Sequence, residues 1–369
     1  MIGRKNTARS AVVCLCFVGT ASAQGLWQGV TYPAANPNSE NQNPKSLWLV
    51  LDSGGSGGGF GKGDIRQKLH DVHFWDAKVG WACGYGGVFR TGDGGLTWAR
   101  TKPKGGWYHI EMSGRHEVWL LEGFHGKGKA RLWHTTDDGR SWNEVAPGTF
   151  RGYTDLYCRG DQRWLLCSGF PSYRSDDRGI TWRRAQFRGG GLHRADKIAI
   201  PGDIGTAKGF VIYVVGGHHR ERRLVKSVDG GTTWMPLGNL PAASAAGGHR
   251  AEVFFSSSRQ GWVAGPDNRI WRTDDGGESW SPCHLPKGKW STGLWFDRSR
   301  RGFAAVANHD ILHPGHALYE STDAGKTWVA AMSGQKQINA IFALGPRRVW
   351  AVGDVPGFIQ NDLVMILAR

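Results

Sequence analysis

The sequence predicts an all-β chain folded as a single seven-bladed β-propeller of four-stranded antiparallel blades, its ring closed by an N-terminal strand. Three observations carry this expectation. An octapeptide of the form S/T-x-D-x-G-x-S/T-W occurs six times, with its aspartates at 93, 137, 177, 229, 275 and 323. An aromatic residue followed by small or apolar residues precedes each copy and occurs once more near the C-terminus, at Trp81, Trp119, Trp164, Phe210, Trp262, Phe303 and Trp350. The composition, with 56 glycines and 19 tryptophans but only 5 methionines, suits short twisted strands and tight turns rather than a helical bundle.

The chain of 369 residues, 40% hydrophobic and 21% charged, can bury a core, which excludes disorder as a whole. Its N-terminus reads as a secretory signal over residues 1–23. Arg4, Lys5 and Arg9 precede the apolar run Ala11 to Val18, and Ala21-Ser22-Ala23 forms an A-x-A cleavage site before Gln24. A mature chain from Gln24 keeps a formal charge of +12 out of +15, so a positive surface and anionic partners are expected. No later stretch has the ~20 apolar residues of a membrane helix, and a periplasmic or secreted protein without membrane insertion is expected. Of the cysteines that remain, Cys83, Cys158, Cys167 and Cys283, only Cys158 and Cys167 are near enough in sequence to suggest a local bridge. The other reading is four small buried side chains.

Residues 67–369 divide into units. Each begins with an alternating stretch such as Leu69-His70-Asp71-Val72-His73-Phe74, whose period of two marks a half-buried inner strand. The aromatic segment is a second strand, the octapeptide follows a third, and a fourth completes the unit. The boxes are separated by 44, 40, 52, 46 and 48 residues, the length of a propeller blade. The last unit has strands near Ile338–Phe342, Val349–Val352 and Leu363–Leu367 but no box. Its missing strand is expected from residues 24–66, at Leu26–Val30 or Ser46–Leu51, with a flexible linker over Gly54–Gly63.

In TGDGGLTW (Thr91 to Trp98) and its five relatives, the aspartate can accept hydrogen bonds from its own turn. The glycine two positions on can take positive φ, and the tryptophan can bury its ring. These residues are expected to fold the chain rather than act on a ligand. The boxes resemble the Asp-box, or BNR, repeats of sialidases, sortilin-type receptor domains, xyloglucanases and photosystem II stability/assembly factors. The composite unit Val72-His73-Phe74-Trp75-Asp76, Gly80-Trp81-Ala82-Cys83-Gly84 and Thr91 to Trp98 is most similar to the assembly-factor-like propellers. That resemblance implies a protein-binding, non-enzymatic role. The arginine-bearing Y/F-R-I-P segment of sialidases is absent, with only Ile65-Arg66-Gln67 near its place, and xyloglucanases of this type use two propellers where this chain has length for one.

With the boxes on one face of the disc, the opposite face carries the loops between second and third strands and those between blades. These place Arg151, Arg194, Arg220, Arg222, Arg250, His193, His218, His249, Trp107 and Trp290 as candidate ligand-binding residues on a basic, histidine-rich face for an acidic protein segment or acidic glycan. Aligning the inner strands brings Asp71, His109, Asp155, Asp196, Glu252, Gly293 and Ala340 to one level of the central channel. Asp71, Asp155, Asp196, Glu252 and His109 are therefore the acid–base candidates of an alternative, sialidase-like glycan-active enzyme. The competing reading neutralises these carboxylates with Arg66, Arg151, Arg194 and Arg250.

No cofactor is expected. Gly54–Gly63 matches no nucleotide-binding pattern, and no G-x-S-x-G or H-E-x-x-H is present. His309, His313 and His316 lie on a loop interrupted by Pro314 and Gly315, without a helix to align them for zinc. Nucleic acid is not an expected partner, for want of any groove-reading motif, and a monomer is expected. The reading favoured is a binding or assembly module that holds an anionic partner on its basic loop face.

Overall fold

A computed structural model describes residues 28–31, 48–52, the greater part of 69–354, and 362–368. The signal segment, the Gly-rich stretch and many loop tips lie outside the described residues. What is described is all β: six four-stranded antiparallel sheets, one five-stranded sheet and one small hairpin. The innermost strands are Leu69–Phe74, Trp107–Met112, Tyr153–Arg159, Ala195–Ala199, Glu252–Phe255, Lys289–Phe296 and Gln337–Gly345. Each packs against the next, and the last packs against the first, so the sheets form a closed ring.

The expectation of seven four-stranded blades is corrected. Six blades have four strands, and the remaining place in the ring holds a five-stranded sheet. Its three C-terminal strands continue into two N-terminal ones, because Trp48–Asp52 pairs antiparallel with Asp362–Ala368 and Gln28–Thr31 pairs with Trp48–Asp52. Both candidate N-terminal segments are used rather than one. Each strand is bonded to a neighbour, and the sheet ends one strand further out than its companions.

A buried apolar cluster fills each gap between neighbouring sheets, seven in all. The contacts between sheets explain the sequence repeat. The second-strand aromatic of one blade lies against the box tryptophan of the next: Trp81 against Trp142, Trp119 against Trp182 and Trp164 against Trp234, edge to face at 6.0, 6.1 and 6.0 Å. In three other gaps an inner-strand phenylalanine, Phe74, Phe255 or Phe296, mediates. Trp262 stacks on Phe296 at 3.8 Å, and Phe296 meets Trp328 edge-on at 5.8 Å.

Within each box, two successive residues take the left-handed conformation. The second is always glycine, as at Gly139, Gly179 and Gly231, and the first is glycine or, at Asp138, Arg178 and Ala324, a residue that bears the strain. The key aspartates behave as the motif implies. Asp177 accepts the Thr181 N–H at 2.9 Å and the Thr181 hydroxyl at 2.5 Å, and Asp229, Asp275 and Asp323 repeat the pattern.

Two details of the sequence reading are corrected by an insertion and a bridge. The 52-residue spacing between Asp177 and Asp229 is the longest. It accommodates an extra hairpin, Gly205–Thr206 with Gly209–Phe210, so Phe210 is not the second-strand aromatic. Tyr213 takes that place, fully buried and stacked on Phe255 at 3.6 Å. Cys158 is a free, buried cysteine. The strand register sets it opposite Arg163, whereas Cys167 lies opposite Tyr153 at the other end of the hairpin, four residues or about 13 Å along the strand. That separation excludes the local bridge.

Candidate functional site

Inner strands are bonded on one side only, so their other edge presents unpaired N–H and C=O groups to the channel. Side chains from the preceding sheet close these edges. The Ile110 N–H donates to Asp71 Oδ2 at 3.0 Å, the Cys158 N–H to Glu111 Oε1 at 3.4 Å and the Ile198 N–H to Asp155 Oδ2 at 3.0 Å. Carbonyl oxygens are met in the same way. Asn339 Nδ2 donates to Leu69 O at 2.6 Å, His109 Nε2 to Leu156 O at 2.9 Å and the Tyr157 hydroxyl to Ile200 O at 3.2 Å.

The charged members of this layer form an alternating chain across four blades. Asp71 Oδ2 lies 2.6 Å from His109 Nδ1, Asp155 Oδ1 lies 3.6 Å from His109 Nε2, and Lys197 Nζ lies 3.1 Å from Asp155 Oδ1. Both imidazole nitrogens of His109 face acceptors. Burial disfavours its charged form, but the Asp71 carboxylate and its hydrogen bond, helped by Asp155, outweigh that cost and raise its pKa to about 9. Asp71 is lowered in turn: burial opposes its ionisation, and the His109 charge and hydrogen bond with the Ile110 N–H overcome it. Lys197 is raised, because Asp155, Glu252 and Asp71 outweigh its desolvation. One level away, His73 Nδ1 lies 3.0 Å from Glu111 Oε2.

Asp71, His109 and Asp155 thus share a level and join in one network, as the alignment predicts. Asp196 does not join that level. Inner strands carry a one-residue bulge near their start, between Leu69 and Asp71, Trp107 and His109, Tyr153 and Asp155, and Ala195 and Lys197. The bulged residue of the fourth blade is Asp196 itself, which places Lys197 where Asp71 and His109 stand in their own blades. Asp196 is instead the counterpart of His70 and Tyr108, and is buried at 2% exposure. Glu252 keeps the expected level, half-buried and within electrostatic reach of Lys197. Among the described residues, the partners of Asp71 and Asp155 are His109 and Lys197; Arg66, Arg151, Arg194 and Arg250 lie outside the described residues.

Trp107 is no exposed floor. It is 4% exposed, packed edge-on against Trp133, whose ring lies 3.8 Å beneath the Lys102 ammonium. His218 and Arg222 fall on the paired strands Ile212–His218 and Glu221–Ser227, and Trp290 on Lys289–Phe296. Arg220, His193 and His249 lie outside the described residues, as do His309 and His313. Among the described residues no group of His, Cys, Asp and Glu is arranged to hold a metal ion, and no helix is long and apolar enough to cross a membrane.

Lys197, Glu111 and His73 were not singled out from sequence, nor was an aromatic cluster at the same end of the channel. There His70 packs on Tyr108 at 4.5 Å and edge-on to Tyr85 at 4.7 Å, and the two phenol oxygens are 2.7 Å apart. The alternation pattern was the available signal, but the bulge interrupts it at one point in each of these strands, and the pattern alone does not show which residue is the bulged one.

The titrations give the stability profile a shape. Asp137, Asp177 and Asp229 are held near pKa 2; turn hydrogen bonds lower the first two, and in Asp229 they overcome a burial penalty. Their contribution is present above pH 4 and is lost as the pH falls from 4 to 2. His109 is raised from 6.5 to about 9. Its contribution is full below pH 6.5 and lost as the pH rises to 9, about 3 kcal/mol in all. Urea midpoints across pH 2 to 10 are expected to fall at both ends, and His109→Gln to flatten the alkaline limb. An unchanged alkaline limb in that variant would contradict the network.

Fold and site together define the class: a β-propeller built on Asp-box repeats, with a polar channel layer that joins its inner strands. The BNR/Asp-box repeat model matches residues 173–184. No curated protein matches the sequence. Among solved structures, "YCF48 bound to D1 peptide" is 17% identical with a TM-score of 0.60, covering 91% of this chain and 99% of that one. YCF48 from Cyanidioschyzon merolae is 16% identical with a TM-score of 0.57, covering 82% and 95%. The GH74 xyloglucanase from Xanthomonas campestris is 15% identical with a TM-score of 0.61, and this chain, matched over 80% of its length, spans 53% of that enzyme. At such identities the similarity is one of fold.

Proposed function

We propose that this chain is a non-catalytic binding module, acting outside the cytoplasm, whose channel mouth and surrounding loops hold an acidic peptide segment of a partner protein. One observation carries the reading. Asp71 and Asp155 are each committed to a backbone N–H of the next blade and to a cation, so they serve the ring as edge caps rather than as an acid–base pair. In the described layer His109 and Lys197 offset Asp71 and Asp155 while Glu111 and Glu252 add negative charge, so attraction for an acidic segment is supplied by the excess of basic residues elsewhere, a formal +15 over the whole chain. The five-stranded sheet acts in this reading as the seventh blade. The peptide-bound YCF48 structure, matched over nearly its whole length, supports a peptide as the partner.

The alternative, a glycan-active enzyme, draws on the fold shared with GH74 xyloglucanase. The test is a side-by-side assay of the purified protein with an Asp/Glu-rich peptide, its Asn/Gln counterpart and xyloglucan. Binding of the acidic peptide that weakens at least tenfold between 50 and 300 mM salt, without release of sugar, is the expected result. Sugar release abolished by Asp155→Asn would overturn it in favour of the enzyme.

A further inference from the structure

On the box-bearing face, a cavity of about 490 Å³ opens between the fifth and sixth blades, lined by Ser257, Ser258, Arg259, Gln260, Asp274 and Arg300. Its walls are two well-fixed turns. In the first, the Ser258 carbonyl accepts the Tyr213 hydroxyl at 2.8 Å, and the Arg259 carbonyl accepts the Gly276 N–H at 2.8 Å. In the second, Arg300 takes φ 73°, held there because its N–H donates to Asp297 O at 3.3 Å and its carbonyl accepts the Ala324 N–H at 2.7 Å. A left-handed arginine kept in place by surrounding bonds is a strained feature of the kind that collects at ligand sites.

The repeat supplies an internal comparison. In the first blade the equivalent turn is capped by Asp76, whose Oδ1 accepts the N–H groups of Lys78 and Val79 at 2.7 and 2.8 Å. Its Oδ2 binds Arg115 of the second blade. In the fifth blade Ser257 occupies the same position, two residues after the phenylalanine that faces glycine in register, and its hydroxyl accepts the N–H groups of Arg259 and Gln260 at 3.3 and 3.0 Å. Serine reproduces the cap but has no second oxygen and no charge to offer the following blade, where Ser299 stands at the register position of Arg115 and Arg300 comes one residue later. Asp274, the acidic residue of the cavity, is already bound by the buried Arg272. Arg259 makes one side-chain hydrogen bond, to the Asp274 carbonyl at 3.4 Å, and the Arg300 guanidinium makes none among the described residues.

We propose that this cavity is a second binding site, specific for a carboxylate, in which Arg259 and Arg300 hold the group that Asp76 supplies internally to Arg115. Guanidinium forks pair with carboxylates by parallel charge-assisted hydrogen bonds, and fixed turns reduce the ordering cost of binding. The carboxylate comes either as a free acid or on an acidic side chain of a partner.

Isothermal titration of the purified protein with succinate, and separately with a short Asp-rich peptide, tests the assignment. Succinate is expected to bind at millimolar concentration, with Arg300→Gln and Arg259→Gln each weakening it at least tenfold and Arg140→Gln, on the second blade, leaving it unchanged. Ser257→Asp is the decisive variant: it restores the internal carboxylate, and is expected to abolish succinate binding while raising the urea midpoint. A peptide that binds at least tenfold tighter than succinate assigns the site to a protein partner, and equal affinity assigns it to free acids. Absence of binding by either probe, or binding that persists in both Arg300→Gln and Ser257→Asp, would overturn the proposal. None of these residues belongs to the channel layer, so the outcome is independent of the function proposed for that end.

Discussion

Trp350→Ala is expected to destabilise the protein by about 3–5 kcal/mol, the usual cost of deleting a buried tryptophan. The residue is 1% exposed, stacks on Phe74 at 3.8 Å and 12°, and donates its indole N–H to the Gly94 carbonyl at 2.8 Å. Trp350 belongs to the closing sheet, whereas Phe74 and Gly94 belong to the first blade, so this one side chain fills the seam where the ring closes. The substitution leaves a cavity at that seam and an unpaired carbonyl in the first box. A lowered urea midpoint with faster hydrogen exchange across Leu69–Phe74 is the expected readout. Trp75→Ala, at a 46% exposed position, is the control and should change stability by no more than about 0.5 kcal/mol. Equal effects of the two substitutions would refute the assignment of the seam.

Gly179→Ala is the second large effect expected, about 2–4 kcal/mol, from two separable causes. The backbone at this position has φ +87°, and a Cβ built there would lie 2.3 Å from the Trp119 ring of the preceding blade. Gly160→Ala separates the causes, because that glycine has φ +52° but nothing within 4 Å of its Cβ. It should cost about 1 kcal/mol, the conformational part alone. A Gly179 variant no worse than the Gly160 variant would show that the box glycine is required for its turn and not for the contact between blades.

These two predictions mark how far the repeat could be read. The box residues declare their local roles in sequence, since an aspartate that caps its own turn needs only neighbours within four positions. Their second role, as the surface that receives the tryptophan of the preceding blade, joins residues 58 to 67 positions apart, from Trp81 with Gly139 to Trp164 with Gly231. Alternation likewise placed Asp71, His109 and Asp155 at one level correctly. The same alternation misassigned the fourth blade by one residue: all four strands carry the bulge at the same point, and there Asp196 is the bulged residue itself, so Lys197 stands at that level.

The all-β class, the repeat length, the boxes and their turn chemistry, and the use of an N-terminal segment to complete the last sheet are legible in the chain alone. These follow from local hydrogen bonding and from a period of two, both written within a few residues. The packing of sheets set which groups the carboxylates face, and gave the last sheet five strands. An aspartate in the sequence is equally an acid or a cap. Only the packing of blade on blade sets Asp71 against the Ile110 N–H and His109, and Ser257 where Asp76 would have neutralised an arginine. Such pairings depend on bulges and on contacts between distant segments, and no local pattern encodes them.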